Sequence, residues 1–179
     1  MKTRKMILIS LCSALMFVFS QMTIPLPFTA VPLTMQVFGV ILISSIMDFS
    51  ISPVSIFIYL LLGAIGIPVF AGFSGGFTAL IGPNGGYLIG FLLMSIVISI
   101  SAKSKNKVIV FSGAYLGLAI DYIFGVLQLK IVTGMTLGAA LAAGLYPFIL
   151  KDIIMTAAAV IIAAKVKTRI PERILCRAR

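Results

Sequence analysis

Apolar runs of near-membrane length, separated by short polar or glycine- and proline-rich breaks, organise this chain from one end to the other. A helix needs about 20 apolar residues to cross a hydrocarbon core ~30 Å thick, and fewer where a span starts inside a re-entrant segment. By that measure the pattern predicts six spans, at roughly 6–22, 31–47, 52–67, 86–101, 108–127 and 138–164. The first run follows a basic start, as a secretory signal would, but no A-x-A-like cleavage site comes after it and it is as long as the later runs. It is therefore expected to remain as the first helix. Residues 1–179 read as a single all-helical transmembrane domain.

Composition and charge sharpen this reading. With 61% hydrophobic and 10% charged residues and a mean hydropathy of +1.22, the chain carries more apolar surface than one small soluble domain buries. Of its 14 basic residues, twelve fall into three clusters: Lys2, Arg4 and Lys5; Lys103, Lys105 and Lys107; and Lys165, Lys167, Arg169, Arg173, Arg177 and Arg179. Six spans with a cytoplasmic N-terminus place all three clusters, and the C-terminus, on the cytoplasmic side. Lys130 is then expected in an outer loop and Lys151 within a span. Topology accounts for the net charge of +10 without a nucleic-acid partner, although some of these lysines and arginines are also placed to touch anionic lipid.

The chemical inventory is thin. There is no histidine, the carboxylates are Asp48, Asp121, Asp152 and Glu172, and the two cysteines, Cys12 and Cys176, lie far apart in the predicted topology. Neither a zinc set nor histidine-activated nucleophile is available, and no G-x-x-x-x-G-K-[ST] run offers a nucleotide site. The chain is not expected to be an enzyme, to carry a metal or to hold a cofactor of its own.

The segment from Gly66 to Phe91 is too apolar for a surface loop and too broken for a helix. Irregular backbone cannot face lipid, because its amides and carbonyls would lack partners. The segment is expected to cap a cavity on the extracellular side, with Val69, Phe70, Phe73, Phe77, Leu80 and Ile81 turned inward. Gly72, Gly75, Gly76, Gly82, Gly85 and Gly86 would permit positive φ or close approach of backbone to a ligand. Asn84 offers a donor and an acceptor side by side, and Tyr87 a flat face and a hydroxyl. From these residues alone, a loop that serves only packing remains an equal alternative.

Gly63-Ala64-Ile65-Gly66-Ile67-Pro68-Val69-Phe70-Ala71-Gly72, then Gly75-Gly76, then Gly82-Pro83-Asn84-Gly85-Gly86-Tyr87-Leu88-Ile89-Gly90-Phe91 closely resemble the signature of the BioY family, the biotin-binding membrane subunits (S components) of energy-coupling factor transporters. Val31-Pro32-Leu33-Thr34-Met35-Gln36 resembles the V-P-x-T-x-Q element before that family's second helix, and Pro147-Phe148 with Asp152 resembles its last-helix motif. The likeness runs through nearly the whole chain. It implies a six-helix substrate-binding subunit of the cell membrane that captures extracellular biotin for ATP-driven import. Its partners would be a transmembrane coupling protein and two ATPase subunits. The resemblance assigns Asp152 to the ureido N–H groups, Asn84 to the same ring or the carboxylate, and Tyr87, Phe70 and Phe77 to the apolar part. Gly85 and Gly86 would approach the ligand, and Gln36 and Asp121 are further candidates. Ser10 and Ala14, one turn apart on the first helix, would form the small-residue face that docks on the coupling protein. An S component for another small vitamin, or a stand-alone facilitator, is the alternative.

One position departs from the pattern. The family motif reads D-x-x-K, whereas this chain has Asp152-Ile153-Ile154-Met155, with a lysine at Lys151 instead. Lys151 and Met155 are an i, i+4 pair, only ~40° apart around a helix. Lys151 would bind the ligand carboxylate, pair with Asp152 or Asp121, or extend to the outer surface. On a helix begun at residue 138 it would lie ~18 Å from the outer end, which makes the last reading strained.

Overall fold

The computed structural model of the chain describes residues 2–169, and all its long elements are helices. In chain order these are α1 (Lys2–Gln21), the two-residue strands β1 (Thr23–Ile24) and β2 (Leu33–Thr34), α2 (Gln36–Ile46), α3 (Ser52–Ala64), a 3₁₀ turn (Ala71–Phe73), α4 (Phe77–Ile81), α5 (Gly85–Ser101), α6 (Lys107–Thr133), α7 (Leu137–Gly144) and α8 (Tyr146–Arg169). The strands pair antiparallel, Thr23 opposite Thr34 and Ile24 opposite Leu33. Among the described residues, three helices are long and apolar enough to cross a membrane: Thr3–Gln21, α6 and α8. The apolar helices α2, α3 and α5 are shorter, at 11, 13 and 17 residues.

Two ends of the bundle are chemically distinct. At one end the connections gather: Thr29 Oγ1 donates to the Ala143 carbonyl, Asn84 Nδ2 to that of Ala30, and Ser20 Oγ to that of Val69. At the other end Lys167 Nζ donates to the Ala102 carbonyl, joining the end of α8 to the α5–α6 turn, and Lys103 sits over the Phe49 ring. Basic residues therefore gather at the end opposite the 23–34 and 70–84 segments. Between the ends, Ile41, Ile56, Tyr59, Met94 and Ile98 are fully buried.

The glycine- and proline-rich segment folds back onto the bundle through one side chain. Phe70 is buried edge-on against Tyr59, with ring centroids 5.5 Å apart. Its ring occupies the space where a Cβ on Gly63 would stand, so only glycine at 63 admits it. Gly76, at φ +98°, makes the sharp entry into α4.

Three expectations change. Val69 and Phe70 turn inward as expected, but Phe73, Phe77 and Ile81 are 66%, 65% and 57% exposed. Phe77 and Ile81 are an i, i+4 pair on the outward side of one-turn α4, which gives its other side to the bundle. Lys130 lies not in a loop but in the last turn of α6, which runs on to Thr133 and ends at left-handed Gly134; a cation is favoured there by the helix dipole. The last predicted run is two helices rather than one. Pro147 has no N–H to give to residue 143, so the helix stops at Gly144 and restarts at Tyr146 with the proline in its first turn, where it is tolerated.

Candidate functional site

That restart sets the position of the chemistry. Lys151 and Asp152 are the sixth and seventh residues of α8, about 8 Å from its start at 1.5 Å per residue, not ~18 Å down a longer helix. They line a cavity of about 380 Å³ at the loop-bearing end of the bundle. Its wall comes from Val31–Val37, the 70–84 segment, the start of α5, one turn of α6, Gly144 and the first turns of α8. The volume suits a small organic molecule.

The polar groups of the wall form a connected set. Lys151 Nζ donates to the Thr34 carbonyl at 2.7 Å and lies 2.8 Å from Asp152 Oδ1. The ammonium and that oxygen are out of line for a hydrogen bond. Tyr122 donates its hydroxyl to Asp152 Oδ2 at 2.6 Å, and Tyr87 donates to the Gly144 carbonyl at 2.7 Å. The two tyrosine rings meet edge to face at 6.4 Å. Gln36 Nε2 donates to the Tyr59 hydroxyl at 2.7 Å, bridging α2 and α3 while lining the cavity.

Acceptors are in surplus. Both oxygens of Asp121, a residue only 1% exposed, and Oδ1 of Asn84 are buried and have no hydrogen-bond partner among the described residues. Asp152 Oδ1 has the Lys151 charge beside it but no aligned donor. Most side-chain donors of the wall are already engaged, whereas these acceptors belong to residues that line the cavity. A buried acceptor without a donor is costly, so such a wall is suited to a ligand that brings N–H or O–H groups.

The structure brings together Gln36, Phe70, Asn84, Tyr87, Asp121, Lys151 and Asp152 from the residues singled out in the sequence. It does not bring Phe77, which lies on the outer side of α4. Gly85 and Gly86 are turned from the cavity as well: a Cβ on Gly85 would strike the Leu80 carbonyl, and one on Gly86 the Phe124 carbonyl. They serve the close packing of α5 against the 80–82 turn and α6. Ser10 and Ala14 are exposed on α1, alongside Met6, Ile7, Leu11 and Val18, whereas Cys12 and Ser13 face inward and Ser13 donates to the Ser55 carbonyl.

Gln128 escaped the sequence reading. Its Nε2 donates to the carbonyls of both Leu80 and Gly82, tying the end of the capping segment to α6. An amide within an otherwise apolar run was the available signal. On the far side of the cavity wall, α6, α7 and α8 form an apolar groove lined by Leu118, Ile123, Leu141 and Ile149 among others, and Tyr122 belongs to both spaces.

Helices of this length and hydropathy, surrounding a polar-headed cavity under a capping segment, define a small-molecule-binding protein of the helical membrane class. The sequence matches the family described as the BioY family over residues 1–172, and the chain belongs to that family. It is 38% identical to the "Probable biotin transporter BioY" of Pyrococcus horikoshii, over 93% of this chain and 98% of the relative. To the "Biotin transporter BioY" of Thermotoga maritima it is 36% identical, over 95% and 99%. Its fold matches the crystal structure of the "S-component for biotin from an ECF-type ABC transporter" with a TM-score of 0.88 at 23% identity, covering 98% of this chain and 97% of the other.

Proposed function

We propose that this chain is a biotin-binding S component of an energy-coupling factor uptake transporter, a single six-span unit of the cytoplasmic membrane with both termini inside. The observation that carries the ligand assignment is the acceptor surplus of the cavity. A ureido ring presents two N–H donors, and Asp121 and Asn84 Oδ1 are acceptors without a donor among the described residues, beside the ion-paired Asp152 carboxylate. Phe70, Leu88, Phe91 and Phe148 supply apolar wall for the sulfur ring and chain.

Lys151 is the only cation lining the cavity among the described residues, yet it faces two carboxyl groups, Asp121 and Asp152. A third carboxylate, from the ligand, would meet net repulsion there. We therefore assign the ureido ring to the acidic end. In this assignment Lys151 neutralises Asp152 and holds Thr34, replacing in part the lysine that the D-x-x-K pattern would put at Met155.

Basic residues gathered at the end away from the cavity support an extracellular mouth. The exposed face of α1 around Ser10 and Ala14 supports docking on a transmembrane coupling protein, with ATP hydrolysed by two ATPase subunits. Calorimetry of the purified chain with biotin tests the reading: saturable one-to-one heat is expected. Absence of heat with biotin, or tighter binding of another vitamin, would overturn it.

A further inference from the structure

We propose that the end of the bundle opposite the ligand cavity holds a binding site for one anionic glycerophospholipid. A second cavity, of about 450 Å³, lies there between α2, the α5–α6 turn, α6 and α8. Among the described residues its charged lining is Lys105, Lys107 and Lys167, with no acidic side chain. Lys167 Nζ is fixed at the wall by the Ala102 carbonyl, and Lys107 is the first residue of α6, where the helix dipole adds to its charge.

A buried hydroxyl points to a ligand independently of the lysines. Ser45 lines this cavity, is 2% exposed, and its Oγ has no hydrogen-bond partner among the described residues. Its neighbour Ser44, equally buried, accepts from Ser52 Oγ at 2.7 Å. Ser45 is thus a donor held at the inner wall of a cationic cavity, and a phosphate or ester oxygen would satisfy it.

The remaining wall favours a lipid over a soluble anion. Val110, Phe111, Val160, Ile161 and Ala164 line the cavity, and Ile161 on α8 is 48% exposed, as Val108 and Ile109 at the start of α6 are exposed too. The headgroup would lie against the lysines and Ser45, and an acyl chain along α6 and α8 toward the bilayer.

Native mass spectrometry of the detergent-purified chain, titrated with dioleoyl phosphatidylglycerol or dioleoyl phosphatidylcholine, tests the site. The anionic lipid should be retained about tenfold more tightly. K105Q/K107Q should abolish that preference, and S45A should weaken phosphatidylglycerol retention several-fold with an unchanged melting temperature. Equal retention of both lipids, or wild-type preference in K105Q/K107Q, would overturn the proposal. Loss in the lysine variant with none in S45A would reduce the site to diffuse surface charge and refute it. Displacement by glycerol 3-phosphate at equal concentration would refute the lipid assignment.

Discussion

Lys151 and Asp152 are consecutive on α8, yet their side chains close an ion pair at 2.8 Å. Successive helical side chains diverge by about 100° and do not normally face each other. The contact forms because Lys151 bends to the Thr34 carbonyl, 2.7 Å away on β2, and passes Asp152 on the way. Lys151 is therefore oriented by the strand segment as much as by its own helix.

That arrangement separates two roles for Lys151. If it acts by neutralising Asp152, Lys151→Met will weaken biotin and biotin methyl ester by the same factor, about tenfold, as expected when one partner of a buried pair is removed. A direct bond to the carboxylate predicts instead that biotin alone loses affinity. Calorimetry with both ligands distinguishes the two. Asp152→Asn should abolish binding of both, since it turns one carboxylate oxygen into a donor and takes the counter-charge from Lys151.

Asp121 bears a carboxyl with no hydrogen-bond partner among the described residues, at 1% exposure. Replacing it by the isosteric Asn removes a group that is costly to bury, so the unliganded protein should gain about 1–3 kcal/mol of stability. Biotin affinity should fall about tenfold or more, since one acceptor for the ureido ring is lost. Melting curves and titrations on one preparation check both signs; unchanged affinity would remove Asp121 from the site.

Gln128 fastens the capping segment through two carbonyls at 2.7 and 2.8 Å. Gln128→Leu leaves both without that donor, at a cost of about 1–3 kcal/mol. The effect should concentrate in a faster release of biotin, measured by stopped-flow displacement, with a smaller change in association. Equal changes in both rates would show that Gln128 supports the bundle rather than the cap.

The α1 surface predicts a division between binding and transport. Ala14→Leu adds bulk to an exposed small-residue face and should cut biotin uptake by cells about tenfold, while leaving the affinity of the isolated chain unchanged. Parallel loss of both would place Ala14 in internal packing.

Much of this was legible in the sequence where a single physical rule dominates. Hydropathy located every long apolar helix, and the cost of placing an ionisable group at membrane depth singled out Asp152, which lines the cavity together with Asp121 and Asn84. The misplaced features depend on competition between rules. Leu137–Leu150 reads as one apolar run, and only Pro147 betrays the break that brings Lys151 near the cavity mouth. Phe77 was expected inside because of its hydrophobicity, but apolar side chains on the outside of a bundle are ordinary where the surroundings are lipid. Gly85 and Gly86 carry the same residue type for ligand approach or for helix packing, and only the position of α6 decides between them.

Tyr122 stands with its hydroxyl on Asp152 and its ring shared between the polar cavity and the apolar groove of α6, α7 and α8. A single aromatic thickness thus divides two surroundings, one walled by hydrogen-bonding groups and one almost wholly apolar. Widening that partition would open Asp152 to the apolar groove, so the tyrosine is as much a seal for the site as a member of it.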